Sequence, residues 1–139
     1  MARCHLALLI PMSALAACDP MYGLSSSSSL PYLPDPDCVE SAIEAAEGVD
    51  WVRREPELEK MFRARETRVW TYGHMEYENV LSLGSSHGDD ISMVNGKVLR
   101  KPMPAAHREA FEPVMHAINR EIEDQCGAPI AANVKIWSN

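Results

Sequence analysis

Basic residues, aromatic residues and long apolar runs are all scarce in this chain, and each scarcity removes a class of function. Thirteen Lys and Arg face twenty Asp and Glu, a formal net charge of -7, so no basic surplus exists to neutralise phosphates and nucleic acid is excluded as a partner. Its 139 residues suffice for one small domain and for no multidomain enzyme. Aromatics make up only 6%, so the core must rest mainly on aliphatic side chains. The longest apolar stretch, residues 6–17, is well short of the ~20 residues that span a bilayer as a helix. There is no H-E-x-x-H, phosphate-binding glycine loop or dinucleotide fingerprint. The expectation is a non-catalytic protein without a cofactor.

What is present begins with a targeting signal. Arg3 supplies a basic start, LALLIPMSALAA an apolar core, and every acidic residue lies beyond residue 17. The stretch ends in Leu15-Ala16-Ala17-Cys18, which resembles the lipobox of bacterial prolipoproteins at each of its positions. That resemblance implies cleavage before Cys18, a thioether-linked diacylglycerol on its sulfur and acylation of the new amine, an anchor of two or three acyl chains in the lipid bilayer. By the same resemblance Asp19 is the membrane-sorting residue and favours the inner membrane, with the domain facing the periplasm. Ala14-Leu15-Ala16 is also an A-x-A site, so release as a soluble secreted protein is the competing reading. Cysteine arithmetic favours the anchor. Cys4 leaves with residues 1–17, lipidation uses Cys18, and Cys38 and Cys126 remain as an even pair in an oxidising compartment.

Residues 18–36 read as a lipidated N-terminus and a tether, because five consecutive serines and three prolines in GLSSSSSLPYLPDP offer little to bury. Residues 37–139 read as one α+β domain. Asp37 and Glu40 have the spacing of a capping box, Val39, Ala42, Ile43 and Ala46 share a helical face, and Gly48 stops that helix. Residues 49–53 read as a strand, and residues 57–64 as a short second helix after Pro56. Trp70 and Tyr72 alternate on one strand and Leu81 and Leu83 on the next, with a turn within residues 73–78. Asn95-Gly96 between two apolar runs predicts a tight hairpin with Met93 opposite Val98. A long helix follows from Pro104 to Gln125, with Phe111, Met115, Ile118 and Ile122 as its apolar stripe and Pro113 as a kink or a start. Residues 133–137 form the last strand. The predicted fold is an antiparallel sheet of four or five strands with the two main helices on one face. A Cys38–Cys126 disulfide joins them if they pack antiparallel, with two buried free thiols as the cytosolic alternative.

The search for chemistry yields little. Ser85-Ser86-His87-Gly88-Asp89-Asp90 holds the residue types of a hydrolytic triad, but neighbours in one turn cannot line up as nucleophile, base and orienter. His74, His87 and Asp89, with Glu76, are the weak metal candidates, in no recognised ligand spacing. His107 and His116 fall on opposite faces of their helix at roughly 100° per residue and cannot share an ion. Residues 38–52 resemble the helix-to-strand half of heavy-metal-associated domains, in which a Cys opens a helix and Gly-Val leads into a strand. That family binds its metal through C-x-x-C, whereas Asp35-Pro36-Asp37-Cys38 lacks the first thiolate, so the metal function does not carry over. Trp51, Trp70, Tyr72, Tyr77 and Trp137 are core or sheet-face aromatics unless they gather in one exposed patch. The expected function is that of an envelope lipoprotein acting on a protein partner, as an accessory, assembly or inhibitor-like component. A periplasmic module for a small ligand or metal is the alternative.

Overall fold

The computed structural model describes residues 22–61, 66–85, 91–99, 104–128 and 130–138. The expected signal segment of residues 1–17, Cys18, Asp19, His87 and Asp89 lie outside them. In chain order the elements are β1 (Tyr22–Leu30), α1 (Pro36–Ala45), β2 (Trp51–Arg54), α2 (Pro56–Met61), β3 (Arg68–His74), β4 (Tyr77–Ser85), β5 (Ile91–Leu99), α3 (Ala105–Cys126) and β6 (Ala131–Ser138). The strands form one sheet in the order β2-β3-β4-β5-β1-β6, with every neighbouring pair antiparallel. The fold is α+β, as the sequence predicts, with six strands among the described residues rather than four or five.

The additional strand is β1, made from the residues expected to form a tether. Ser25 to Ser29 lie inside the sheet, paired with β5 on one side and β6 on the other. The boundary expected at residue 37 is therefore wrong, and the domain includes Tyr22–Leu30. The physical reason is alternation: Leu24, Ser26, Ser28 and Leu30 are buried, while Ser27 and Ser29 face out. Two leucines and a period of two outweigh the flexibility of a serine run once partners exist on both sides.

A second correction concerns Asn95-Gly96. The predicted hairpin does not form; β5 runs straight through both residues, Asn95 opposite Leu81 and Ser26, and Gly96 opposite Val80 and Ser25. Met93 pairs with Leu83 and Ser28, not with Val98. Gly96 is needed for another reason: a Cβ there would come within 2.9 Å of the Leu24 carbonyl oxygen on the neighbouring strand.

The helices follow the sequence reading closely. At the start of α1 the cap is Asp35, whose carboxylate accepts the Asp37 and Cys38 amides at 3.0 and 3.1 Å, with Pro36 at the first turn. The predicted Asp37–Glu40 capping box is thereby displaced, and Glu40 instead accepts the Trp70 indole N–H at 3.2 Å. Helix α3 continues through Pro113 and stops at Gly127, which takes the left-handed conformation at φ 69°. Phe111, Met115, Ile118 and Ile122 are fully buried against Val39 and Ile43 of α1 and Trp70, Leu81, Leu83 and Met93 of the sheet. Cys38 and Cys126 form the expected disulfide, Cα–Cα 5.9 Å, joining the first turn of α1 to the last of α3. Both helices cover one sheet face; on the other, Val80 and Val94 are exposed.

Candidate functional site

The sequence candidates that fall within the described residues are absorbed by the architecture. His74 closes β3 by donating from Nδ1 to the Gly48 carbonyl at 2.6 Å, and its ring meets Phe111 edge-on at 4.8 Å. Gly48, at φ 91°, permits this junction, because a Cβ there would fall 2.6 Å from Val114 Cγ2. No group of three or more His, Cys, Asp or Glu among the described residues is placed to hold a metal ion. Trp70 and Tyr72 are core residues, and Tyr77 stacks edge-on against Phe111 at 6.0 Å. Trp51 lies over Gly73 with the Arg53 guanidinium 5.5 Å above its ring. The described aromatics do not gather in one exposed patch.

The most distinctive concavity lies where no motif pointed. Helix α3 packs against α1 and, more lightly, against β6. Along the exposed side of α3, reaching Ile130 just before β6, runs a broad, open groove of about 680 Å³, lined by Glu109, Glu112, His116, Asn119 and Glu123. The three glutamates and His116 are spaced three, four and seven positions apart on α3, so they share one face. Three carboxylates there face one guanidinium, that of Arg120. Glu112 and His116 are both half-exposed and 4.0 Å apart, while Glu109 and Glu123 have no ion-pair partner among the described residues.

Two acceptors of this stretch of α3 lack a donor. Pro113 has no N–H, so the Glu109 carbonyl, four residues earlier, lacks its helical donor. Asn119 is 5% exposed, and its Nδ2 donates to Ser26 Oγ on β1 at 3.4 Å, while its Oδ1 has no partner among the described residues. A buried amide oxygen left unpaired costs of order 1–3 kcal/mol, and Ser28 Oγ, the Asn79 amide and Asn95 Nδ2 likewise have no partner among the described residues.

Below the groove a polar layer crosses the core. Tyr72 donates its hydroxyl to Asn95 Oδ1 at 2.6 Å, and Asn95 sits beside Ser26 in the register. Burial pushes the Tyr72 phenol well above the usual tyrosine range, against a smaller opposing effect of its bond to Asn95. Sequence reasoning missed the groove because its defining residues read as the solvated side of an amphipathic helix. The readable signal was Asn119 between Ile118 and Ile122, a polar residue beside the apolar stripe. No protein-family profile matches the chain, and no curated protein is recognisably similar to it in sequence.

Proposed function

We propose that the chain is a non-catalytic lipoprotein of a bacterial cell envelope, anchored in the bilayer through acylated Cys18 and acting on an envelope protein partner. The observation that carries this reading is Leu15-Ala16-Ala17-Cys18 at the end of an apolar stretch with a basic start. The Cys38–Cys126 bridge supports it, since disulfides persist in exported proteins. Asp19 favours retention in the inner membrane, with the domain facing the periplasm.

Incorporating the serine run into β1 changes how such an anchor works. Only four peptide steps separate Cys18 from Tyr22, a reach of at most ~14 Å. The domain is then held close to the headgroups, with the entrance of β1 towards the bilayer. The β3–β4 turn lies at that same end of the sheet, because Tyr22 pairs with Leu99 and Val80 with Gly96. A ligand-binding module is the second reading, and the α3 groove is the observation that favours it.

The deciding measurement is the intact, non-reduced mass of the protein recovered from membranes of a bacterial host, beside a Cys18→Ala variant. A mass that starts at Cys18, carries acyl chains and is two hydrogens lighter for the bridge is the expected result. An unlipidated soluble species cut after Ala16 overturns the anchor and leaves a diffusible secreted binder.

A further inference from the structure

We infer that the end of the sheet at which β1 enters rests directly on the lipid surface, with Met75 and Trp51 entering the headgroup region. The inference rests on the anchor reading above and names the surface that the anchored domain meets.

The strand register fixes which residues share that end. Arg53, Thr71, Val80, Gly96, Ser25 and Lys135 stand opposite one another in one row across all six strands. Two residues nearer the entrance of β1, the corresponding positions are Trp51 on β2, Gly73 on β3, Gly23 on β1 and Trp137 on β6. Both outer strands thus carry a tryptophan at the same level, ~24 Å apart across five strand spacings. Met75, in the β3–β4 turn, lies two residues further still, beyond the level of Tyr22. Tryptophan suits a bilayer surface, because its ring is apolar while its N–H stays hydrated.

Neither exposed side chain is explained by the fold alone. Met75 is 50% exposed and Trp51 37%. At φ 56° the turn favours asparagine or glycine over methionine, and an exposed residue that fits its backbone poorly points to a contact outside the domain. The anchor decides what that contact is. Only four peptide steps, at most ~14 Å, separate Cys18 from Tyr22. A domain of about 100 residues has a radius of gyration of ~13 Å, so no folded partner fits between this end and the bilayer. The contact is apolar rather than ionic: Asp50, Glu76 and Glu78 are exposed at the same end, and Arg53, beside Trp51, is paired with Glu55 at 2.7 Å. Those carboxylates disfavour anionic headgroups and suit zwitterionic ones.

The test uses the acylated mature protein, disulfide intact, reconstituted in phosphatidylcholine vesicles and carrying a fluorophore on one introduced cysteine. Met75→Cys places the label at the proposed contact. Met61→Cys, on an exposed residue of α2 beyond the far end of β2, is the control. Phosphatidylcholine bearing a nitroxide near its headgroup is expected to quench the label at position 75 at least threefold more than that at position 61. A label on Asp50→Cys should be quenched at least twofold less once Met75→Asp is added, a change that the left-handed turn accommodates. Replacing half of the lipid with phosphatidylglycerol should leave quenching at position 75 equal or weaker, and molar salt should not abolish it. Equal quenching at positions 75 and 61, in a protein whose mass shows acylation, overturns the contact and leaves the anchor standing. Quenching at position 75 that requires phosphatidylglycerol and vanishes in molar salt also overturns it, because that pattern reports attraction between charges. A protein that proves unacylated and does not float with the vesicles removes both the contact and the anchor.

Discussion

Tyr72 shows how a single side chain organises the centre of this molecule. From β3 it reaches across β4 to Asn95 on β5, so its hydroxyl bond ties together strands that are not neighbours. Tyr72→Phe removes the donor and leaves the Asn95 amide oxygen buried and unpaired, which should cost roughly 1–3 kcal/mol in chemical denaturation at neutral pH. Because burial raises the phenol's pKa, the folded protein keeps the proton that the unfolded chain loses near pH ~10. The tyrosine's contribution is thus complete below that pH and declines as pH rises beyond it. The stability gap between wild type and Tyr72→Phe should narrow from pH 9 to 11, whereas a gap constant with pH would contradict the buried, neutral phenol. Met75 illustrates the opposite case, a residue that fits its place poorly. It occupies the two-residue β3–β4 turn at φ 56°, is half-exposed, and is the sole positive-φ non-glycine among the described residues. Met75→Asn should raise stability by roughly 0.5–1 kcal/mol, read from the denaturation midpoint, because asparagine tolerates this conformation better. Asn95-Gly96 looked like such a turn in sequence, since nothing local distinguishes an asparagine that bends the chain from one that accepts a tyrosine hydroxyl. The distinction lies in residues 23 positions away.

At the scale of elements, legibility followed how much of an element's energy is local. Helices α1 and α3 were readable because their apolar stripes, stop signals and closing glycine are written within each segment. Strand β1 was not, because a serine run has low strand propensity and its stability comes from partners distant in sequence, β5 and β6. The cap of α1 moved by two residues for a similar reason: Asp35 and Asp37 can both cap, and Trp70, from another strand, takes the Glu40 carboxylate that the second option needs. The candidate groove was illegible because it arises only when the polar face of α3 is set beside Ile130, in the segment that leads into β6. Two substitutions at one serine test the strand assignment. Ser27 faces out of the sheet opposite Val94, which is 45% exposed. Ser27→Val should therefore stabilise by ~0.2–1 kcal/mol through a cross-strand pair. Ser27→Pro should destabilise by ~3 kcal/mol, because a strand paired on both sides cannot lose a ladder donor cheaply. A tether would leave the denaturation midpoint unmoved by either change.

For the molecule as a whole, the disulfide divides the chain into a closed loop and two ends that meet outside it. The bridge encloses everything from α1 to α3, across 88 positions, while β1 and β6 lie beyond it and pair with each other. Closing a loop of that length removes unfolded-state entropy worth ~4.6 kcal/mol on the chain-entropy argument, a large share of the ~5–15 kcal/mol that stabilises an ordinary domain. The folded geometry gains little from the bridge itself, since α1 and α3 already share a buried core. Its effect should therefore appear as a change in the unfolded chain. Reduction, or Cys38→Ser with Cys126→Ser, should lower the thermal midpoint by roughly 10–20 °C for a domain of this size, and the denaturant slope should rise as the released chain exposes more surface. Coincident melting of oxidised and reduced protein would show that the core alone sustains the fold. The expected loss would instead make the folded state dependent on an oxidising compartment, the condition that the proposed export to the envelope would meet.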